Sequence, residues 1–549
     1  MAAAASVTFV AVILYVVAST IDLQKSSSGR FLFIKSTCIV SSDTRYVDLE
    51  SGAVRLVEPR RRNVLYDVYH VGSRFWIVTN DGGALNFKLM HTSPDTPSSE
   101  NWKAIVPYDV GTKIDCLKVF ASHVVMFGRK GGLTHVEIYP LLESSCSTTL
   151  PTAPTSSNDC GGKASSDDGG GSGGANGSCA RCEFVGRART LDWPEPAYVV
   201  KPERNAEFAA RYVRVAYSSL VTPPAVYDVH FDGRTRTLVQ EQAVPLYDRA
   251  LYETRRIHVG ARDGTQIPLS IVYRRHAAAV HADADADVGV EGKPCVLTAY
   301  GAYGLCLEPE FDAARLPWLD RGVVWVIAHV RGGGELGRQW YEAGKLLHKK
   351  NTFTDLLDCA AELVSPRRSG SGAQDAEWRP SARGIADPRR LALVGGSAGG
   401  LLVGAALNAR PDLFRVAWTR VPFVDVLVTM SDPSIPLVAV EWDEWGNPAA
   451  DAVHRAYIRS YSPVDNVAPA RYPALLVTTA LDDARVPYWE PSKWVARLRA
   501  AALPGSGPLL LATKMAAAAG HAGVSGRYAH LRVKAAEVAF VLDQLGVGH

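Results

Sequence analysis

Hydrophobic and polar positions alternate over short runs through the first 250 or so residues. Phe31–Ile34, Arg45–Leu49, Val64–Val68 and Phe75–Val78 follow one another closely, and Val124–Phe127, His135–Tyr139, Tyr212–Tyr217 and Val226–Phe231 come later. Gly, Asn and Asp turns separate them. Short strands at this spacing predict an all-β region, either a sandwich, a barrel or propeller blades. From about Tyr252 the period changes. Continuous apolar runs (Cys295–Tyr300, Val323–Ala328, Leu391–Val394, Val416–Thr419, Ala474–Thr479, Leu509–Ala512) alternate with helical stretches such as Phe353–Val364, Leu401–Ala409 and Pro491–Ala501. Strands apolar throughout and separated by helices predict a mostly parallel sheet covered on both faces.

Composition narrows the picture. The 549 residues exceed one ordinary domain. A net charge of +3 argues against a general nucleic-acid binder, which needs a basic surplus to displace counterions. Nine cysteines make no disulfide framework, and reduced core thiols at Cys295, Cys306 and Cys359 fit a reducing compartment, the cytoplasm. Residues 1–21 are uncharged but lack the basic start of a secretory signal. They read as a leader of unclear role or a buried strand, with anchoring or secretion as the alternative; elsewhere no stretch is apolar enough to span a bilayer. Residues 142–182, with eight glycines between Gly161 and Gly177, read as a flexible insertion, and Ala282–Asp287 as a low-complexity loop. The Cys179/Cys182 pair lacks a second ligand pair at matching spacing, so no metal is expected.

The strongest chemical signal is Gly395-Gly-Ser397-Ala-Gly399, which fits G-x-S-x-G between a strand and a helix of small residues. Small neighbours allow the tight turn that lifts a serine hydroxyl out of a sheet. The Ala398 amide, at the helix start, is placed to stabilise an oxyanion. Free serine is a poor nucleophile and needs a base with an orienting carboxylate. Asp482 or Asp483, and His521 within Ala519–Gly523, follow at C-terminal strand ends in the order this architecture uses. His530, on the next helix, is the rival base.

These residues sit in a wider resemblance. His329–Gly337 (HVRGGGELG), Gly395–Leu401, Val421–Asp425 (VPFVD), Glu444–Pro448 (EWGNP) and Tyr488–Pro491 (YWEP) are similar, in order, to the catalytic domain of the prolyl oligopeptidase family of serine peptidases, in its oligopeptidase B branch. The resemblance covers residues 253–549 and continues more weakly through 22–252, where it implies a β-propeller over the active site. It implies Ser397 as nucleophile, Asp483 rather than Asp482 as orienting carboxylate, His521 as base, Tyr300 with the Ala398 amide as oxyanion hole, and Arg485 on a substrate carbonyl. It also implies that Glu441 and Asp443 hold a P1 Arg or Lys, and that Glu308 and Glu310 favour a basic P2. A carboxylate suits a guanidinium through bidentate, charge-assisted bonds. The bland reading of Glu441–Glu444 is a solvated acidic face.

The implied activity is cleavage after Arg or Lys in short basic peptides, without cofactor, nucleic acid or membrane. The alternatives are a related hydrolase of prolyl or exopeptidase type, and an inert scaffold. The resemblance leaves room for about four blades where the family has seven. That shortage leaves the size limit on substrates open, and unpaired propeller edges are expected to favour self-association. Gly332–Gly334 lacks the G-x-G-x-x-G pattern of a dinucleotide loop.

Overall fold

A computed structural model describes residues 20–142, 185–275, 292–365, 385–514, 520, 521, 523 and 528–548. All but the first residue of the insertion at 142–182, the Cys179/Cys182 pair, the Ala282–Asp287 loop and all but the last two residues of the uncharged start lie outside them.

The alternating runs of the first half form four four-stranded antiparallel sheets, spanning residues 20–58, 66–106, 112–190 and 198–241. Period-2 alternation gives each sheet an apolar face, and successive sheets bury those faces against each other. Phe31, Phe33 and Tyr46 of the first meet Tyr66, Phe75 and Ile77 of the second. Trp76, Val78 and Leu89 of the second meet Leu117, Val124 and Met126 of the third. Val125, Phe127 and Ile138 of the third meet Val213, Val215 and Val229 of the fourth. This is propeller-blade stacking. The outer face of the first sheet also carries exposed apolar side chains. Leu23, Ile34 and Leu56 lie in one cross-strand row with Arg45, and Leu23 is 62% exposed.

The second half is one eight-stranded sheet. Its strands are β1 (Tyr252–Gly260), β2 (Gln266–Arg274), β3 (Lys293–Thr298), β4 (Val324–Ala328), β5 (Ala386–Gly396), β6 (Val416–Arg420), β7 (Ala474–Ala480) and β8 (Leu509–Lys514), in the order β1-β2-β4-β3-β5-β6-β7-β8. From β4 onward every pairing is parallel; β1 and β2 are antiparallel additions at one edge. Helices α1 (Lys350–Val364), α2 (Ala398–Ala409), α3 (Val426–Ser431), α4 (Val438–Trp445), α5 (Trp489–Ala501) and α6 (Ala529–Gln544) are its main helices. One apolar cluster joins the sheet to α1, α2 and α5, and another joins its opposite face to α6. The expected parallel core is therefore present, as an α/β-hydrolase sheet. No helix among the described residues is long and apolar enough to cross a membrane.

The two halves touch through the segment after β3. Arg129 forms an ion pair with Glu308, Lys201 Nζ lies 2.8 Å from Glu310, and the Phe311 amide donates to Ser218 Oγ at 3.0 Å. The Arg338 amide also donates to Asn86 Oδ1, at 2.7 Å.

Candidate active site

Ser397 stands between the end of β5 and the start of α2, with φ 54° and ψ −122°. A non-glycine residue at such a φ is strained and persists only when its surroundings hold it. Here the Ser397 amide donates to Arg420 O, while Ser397 O accepts from the Gly400 and Phe423 amides at 2.8 and 3.1 Å. The turn also needs its small neighbours: a Cβ on Gly395 would lie 2.4 Å from Gly399 O. The result presents the Ser397 hydroxyl at the C-terminal end of the sheet, where groups from neighbouring loops converge.

His521 Nε2 lies 3.1 Å from Ser397 Oγ, and His521 Nδ1 lies 2.8 Å from Asp483 Oδ2. Asp483 sits just after β7. Its Oδ1 accepts from the Arg485 and Val486 amides, both at 2.9 Å, so its orientation is fixed by its own turn. Burial works against the Asp483 charge, but the His521 bond and the two amides hold its carboxyl below the usual aspartate range. Asp482 is exposed and His530 lies exposed on α6, so the structure brings together Ser397, His521 and Asp483 and neither rival.

Tyr300 follows β3. Burial raises its phenol, with a hydrogen bond to Ser397 acting in the opposite direction. The Ala398 amide is the first of α2, where a helix leaves its amides without intrahelical acceptors. Both groups border Ser397. Beside them opens a cavity of about 190 Å³, whose apolar wall includes Leu305, Phe423, Met430 and Val438, with Glu441 and Arg485 as its charged members. Glu441 Oε2 accepts from the Tyr303 hydroxyl at 3.0 Å and from Trp445 Nε1 at 3.3 Å. Burial raises the Glu441 carboxyl, and Arg485 pulls it down.

The remaining expected residues lie elsewhere. Asp443, two positions past Glu441 and so about 200° round α4, does not line this cavity. Neither do Glu308 and Glu310, which engage Arg129 and Lys201 of the β half. The acidic run is not a solvated face, because Glu444 is fully buried, accepting from the Tyr303 amide at 3.0 Å and the Tyr341 hydroxyl at 2.6 Å. Sequence reasoning missed Glu444, Tyr303, Lys349 and Glu490. Their signal was weak, since each acts through a partner that chain folding alone brings near. Among the described residues no cluster of three or more His, Cys, Asp or Glu is arranged to hold a metal.

Comparison with known proteins identifies the family and the fold. The model described as "Prolyl oligopeptidase family" matches residues 309–369 and 376–548, and that of "Prolyl oligopeptidase, N-terminal beta-propeller domain" matches 17–242. The chain is 37% identical to dipeptidyl aminopeptidase BI of Pseudoxanthomonas mexicana, covering 96% of this chain and 63% of that protein. It is 35% identical to protease 2 of Moraxella lacunata, covering 96% and 66% respectively. The chain thus spans just under two thirds of these relatives' lengths. The solved oligopeptidase B from Trypanosoma brucei superposes with a TM-score of 0.79 at 35% identity, over 97% of this chain and 66% of that one. On fold, site geometry and sequence together, the chain belongs to the prolyl oligopeptidase family.

Proposed function

We propose that this protein is a serine endopeptidase that hydrolyses the bond after Arg or Lys in short peptides. The observation that carries the reading is the Glu441 carboxylate in the cavity next to Ser397. An apolar-walled cavity with one half-buried acid suits a long aliphatic stem ending in a cation. It would be a poor floor for a proline ring. The second oxygen of Glu441 is left for the ligand once Tyr303 and Trp445 have taken Oε2.

The residues are suited to acyl transfer as follows. His521 Nε2 accepts the Ser397 proton as Oγ bonds to the scissile carbonyl carbon. Asp483 keeps Nδ1 protonated and stabilises the imidazolium without taking the proton itself. The Tyr300 hydroxyl and the Ala398 amide receive the charge that develops on the carbonyl oxygen. His521 then gives its proton to the leaving nitrogen as the C–N bond breaks. Water, deprotonated by the same imidazole, releases the acyl group. Arg485 is assigned to a substrate carbonyl. Asp443 is retained as a secondary acid, and Glu308 and Glu310 as acids toward a basic P2. The five described cysteines are free thiols, which suits the cytoplasm.

One observation favours a second reading: a relative at 37% identity is a dipeptidyl aminopeptidase. Hydrolysis of Arg-terminated chromogenic peptides with blocked and with free amino termini separates the two. Faster cleavage of the blocked peptides is the expected result, and a strict requirement for a free amine at P2 supports the exopeptidase.

A further inference from the structure

Behind the cavity lies a buried ion pair that takes no part in the chemistry above. Lys349 and Glu444 have side chains 2% and 0% exposed, with Lys349 Nζ 3.6 Å from Glu444 Oε1. Burying two charges is costly unless every lone pair and proton is used, and such a pair is weak evidence for stability. Here the bonds are well used. Lys349 Nζ donates to Gly301 O at 2.6 Å and to Gly344 O at 2.9 Å, and lies 4.7 Å from the Trp445 ring centre. Glu444 accepts from the Tyr303 amide and the Tyr341 hydroxyl. Burial lowers the Lys349 ammonium to about 8, with Glu444 opposing the fall.

What the two charges share is the segment after β3. Lys349 holds its Gly301 carbonyl and Glu444 its Tyr303 amide. That segment has φ of 66° at Gly301, 60° at Tyr303 and 65° at Gly304, outside any strand. It is also pressed from below: a Cβ on Gly301 would lie 2.3 Å from Thr352 Cγ2, and one on Gly332 would lie 2.2 Å from Gly301 O. The glycine run 332–334 therefore serves close backbone approach. The held segment carries Tyr300 at one end, facing Ser397, and Tyr303 at the other, bonded to Glu441.

We propose that the Lys349–Glu444 pair is a positioning device, which clamps the Gly301 carbonyl and the Tyr303 amide so that the Tyr300 hydroxyl is held where the oxyanion forms. Neither residue touches substrate; both act through Tyr300. The inference rests on the reading of Tyr300 as an oxyanion donor, and its test separates the two.

The experiment is a comparison of kcat on a saturating Arg-terminated ester, for Lys349→Met/Glu444→Gln in the native and in the Tyr300→Phe background. The paired change removes both charges, so neither is left buried alone, and folding is checked by circular dichroism and thermal melting. Loss of a placed oxyanion donor costs about 10²–10³ in kcat, and misplacement is expected to cost about tenfold. The account expects that tenfold loss with Tyr300 present and less than about twofold with Phe in its place. Equal losses in both backgrounds overturn the positioning role, because a merely structural pair does not depend on Tyr300. If Tyr300→Phe alone leaves kcat unchanged, the oxyanion reading itself falls and takes the inference with it. If the paired variant does not fold, Glu444→Gln alone, which keeps the side chain's shape, goes through the same comparison. A loss confined to the Tyr300 background then supports the role, and an equal loss in both again overturns it.

Discussion

The Tyr303 hydroxyl donates to Glu441 Oε2 at 3.0 Å while the amide of the same Tyr303 donates to Glu444 Oε1, also at 3.0 Å. One residue thus orients the acid of the cavity beside Ser397 and is itself tied to a carboxylate in the core. Glu441, which lines the cavity beside Ser397, is therefore presented in a set geometry.

Removing that charge should change which substrates are cleaved. Glu441→Gln keeps size and much of the bonding but loses a charge-assisted contact of about 2 kcal/mol, roughly 30-fold in kcat/KM for P1 Arg. Substrates with an apolar P1 should lose little. Initial rates on matched peptides differing only at P1 check this, and a uniform loss across all of them contradicts it.

The same carboxyl predicts a pH effect on binding. Burial raises the Glu441 pKa, so Glu441 becomes neutral at a higher pH than an ordinary glutamate. Below that point the attraction for a cation is gone; above it the attraction is complete. KM for an Arg substrate should rise as pH falls through the region above the usual glutamate value of about 4.3, and Glu441→Gln should flatten the dependence. A KM profile unchanged by that substitution counts against the assignment.

Glu490 offers a stability test apart from catalysis. It is fully buried on α5 and accepts from the Val424 and Asp425 amides and the Thr429 hydroxyl, at 3.0, 2.9 and 2.6 Å. Burial raises its pKa to about 7. Between the unfolded value and 7 the folded state binds more protons than the unfolded one, so this group's contribution to stability falls as pH rises through that window. Glu490→Gln can keep all three bonds, its amide donating to Thr429. It should gain stability relative to the native protein at pH 8, on the order of 3 kcal/mol, and little at pH 4. Urea melts at both values check it, and an equal change at both contradicts it.

Leu23 and Leu56, exposed on the outer face of the first sheet in one row with half-buried Ile34 and with Arg45, should favour self-association, since exposed apolar side chains on a sheet face are an association site. Leu23→Lys with Leu56→Lys should shift sedimentation toward the monomer. A concentration-independent monomer in the native chain refutes this.

Much of the fold could be read from periodicity. The six apolar runs of the second half are all strands of its sheet, and the three helical stretches are α1, α2 and α5. Strands β1 and β2 were less legible, because β1 is an edge strand carrying Arg255, Arg256 and His258 where a buried strand would be apolar. A local turn motif and chain order pointed to Ser397 and His521 and left Asp482 or Asp483 open, and only the family resemblance singled out Asp483, which the structure places against His521. The Glu308 ion pair followed from none of these: its partner Arg129 lies 179 residues away in the chain, on a strand of the third four-stranded sheet. Glu444 and Lys349 were hidden for the same reason. One carboxylate of an acidic run and one of two adjacent lysines at a helix start look like solvated charges, and only three-dimensional packing makes them each other's partner.

The most direct test of the central claim is the rate of hydrolysis of amino-blocked peptides ending in Arg, Lys, Pro or Leu before the reporter group, by the native protein and by Ser397→Ala. The account predicts cleavage after Arg and Lys well above Pro and Leu, and a loss of about 10⁴-fold or more in Ser397→Ala with its circular dichroism unchanged. Faster cleavage after Pro, or native-like activity in Ser397→Ala, would contradict it.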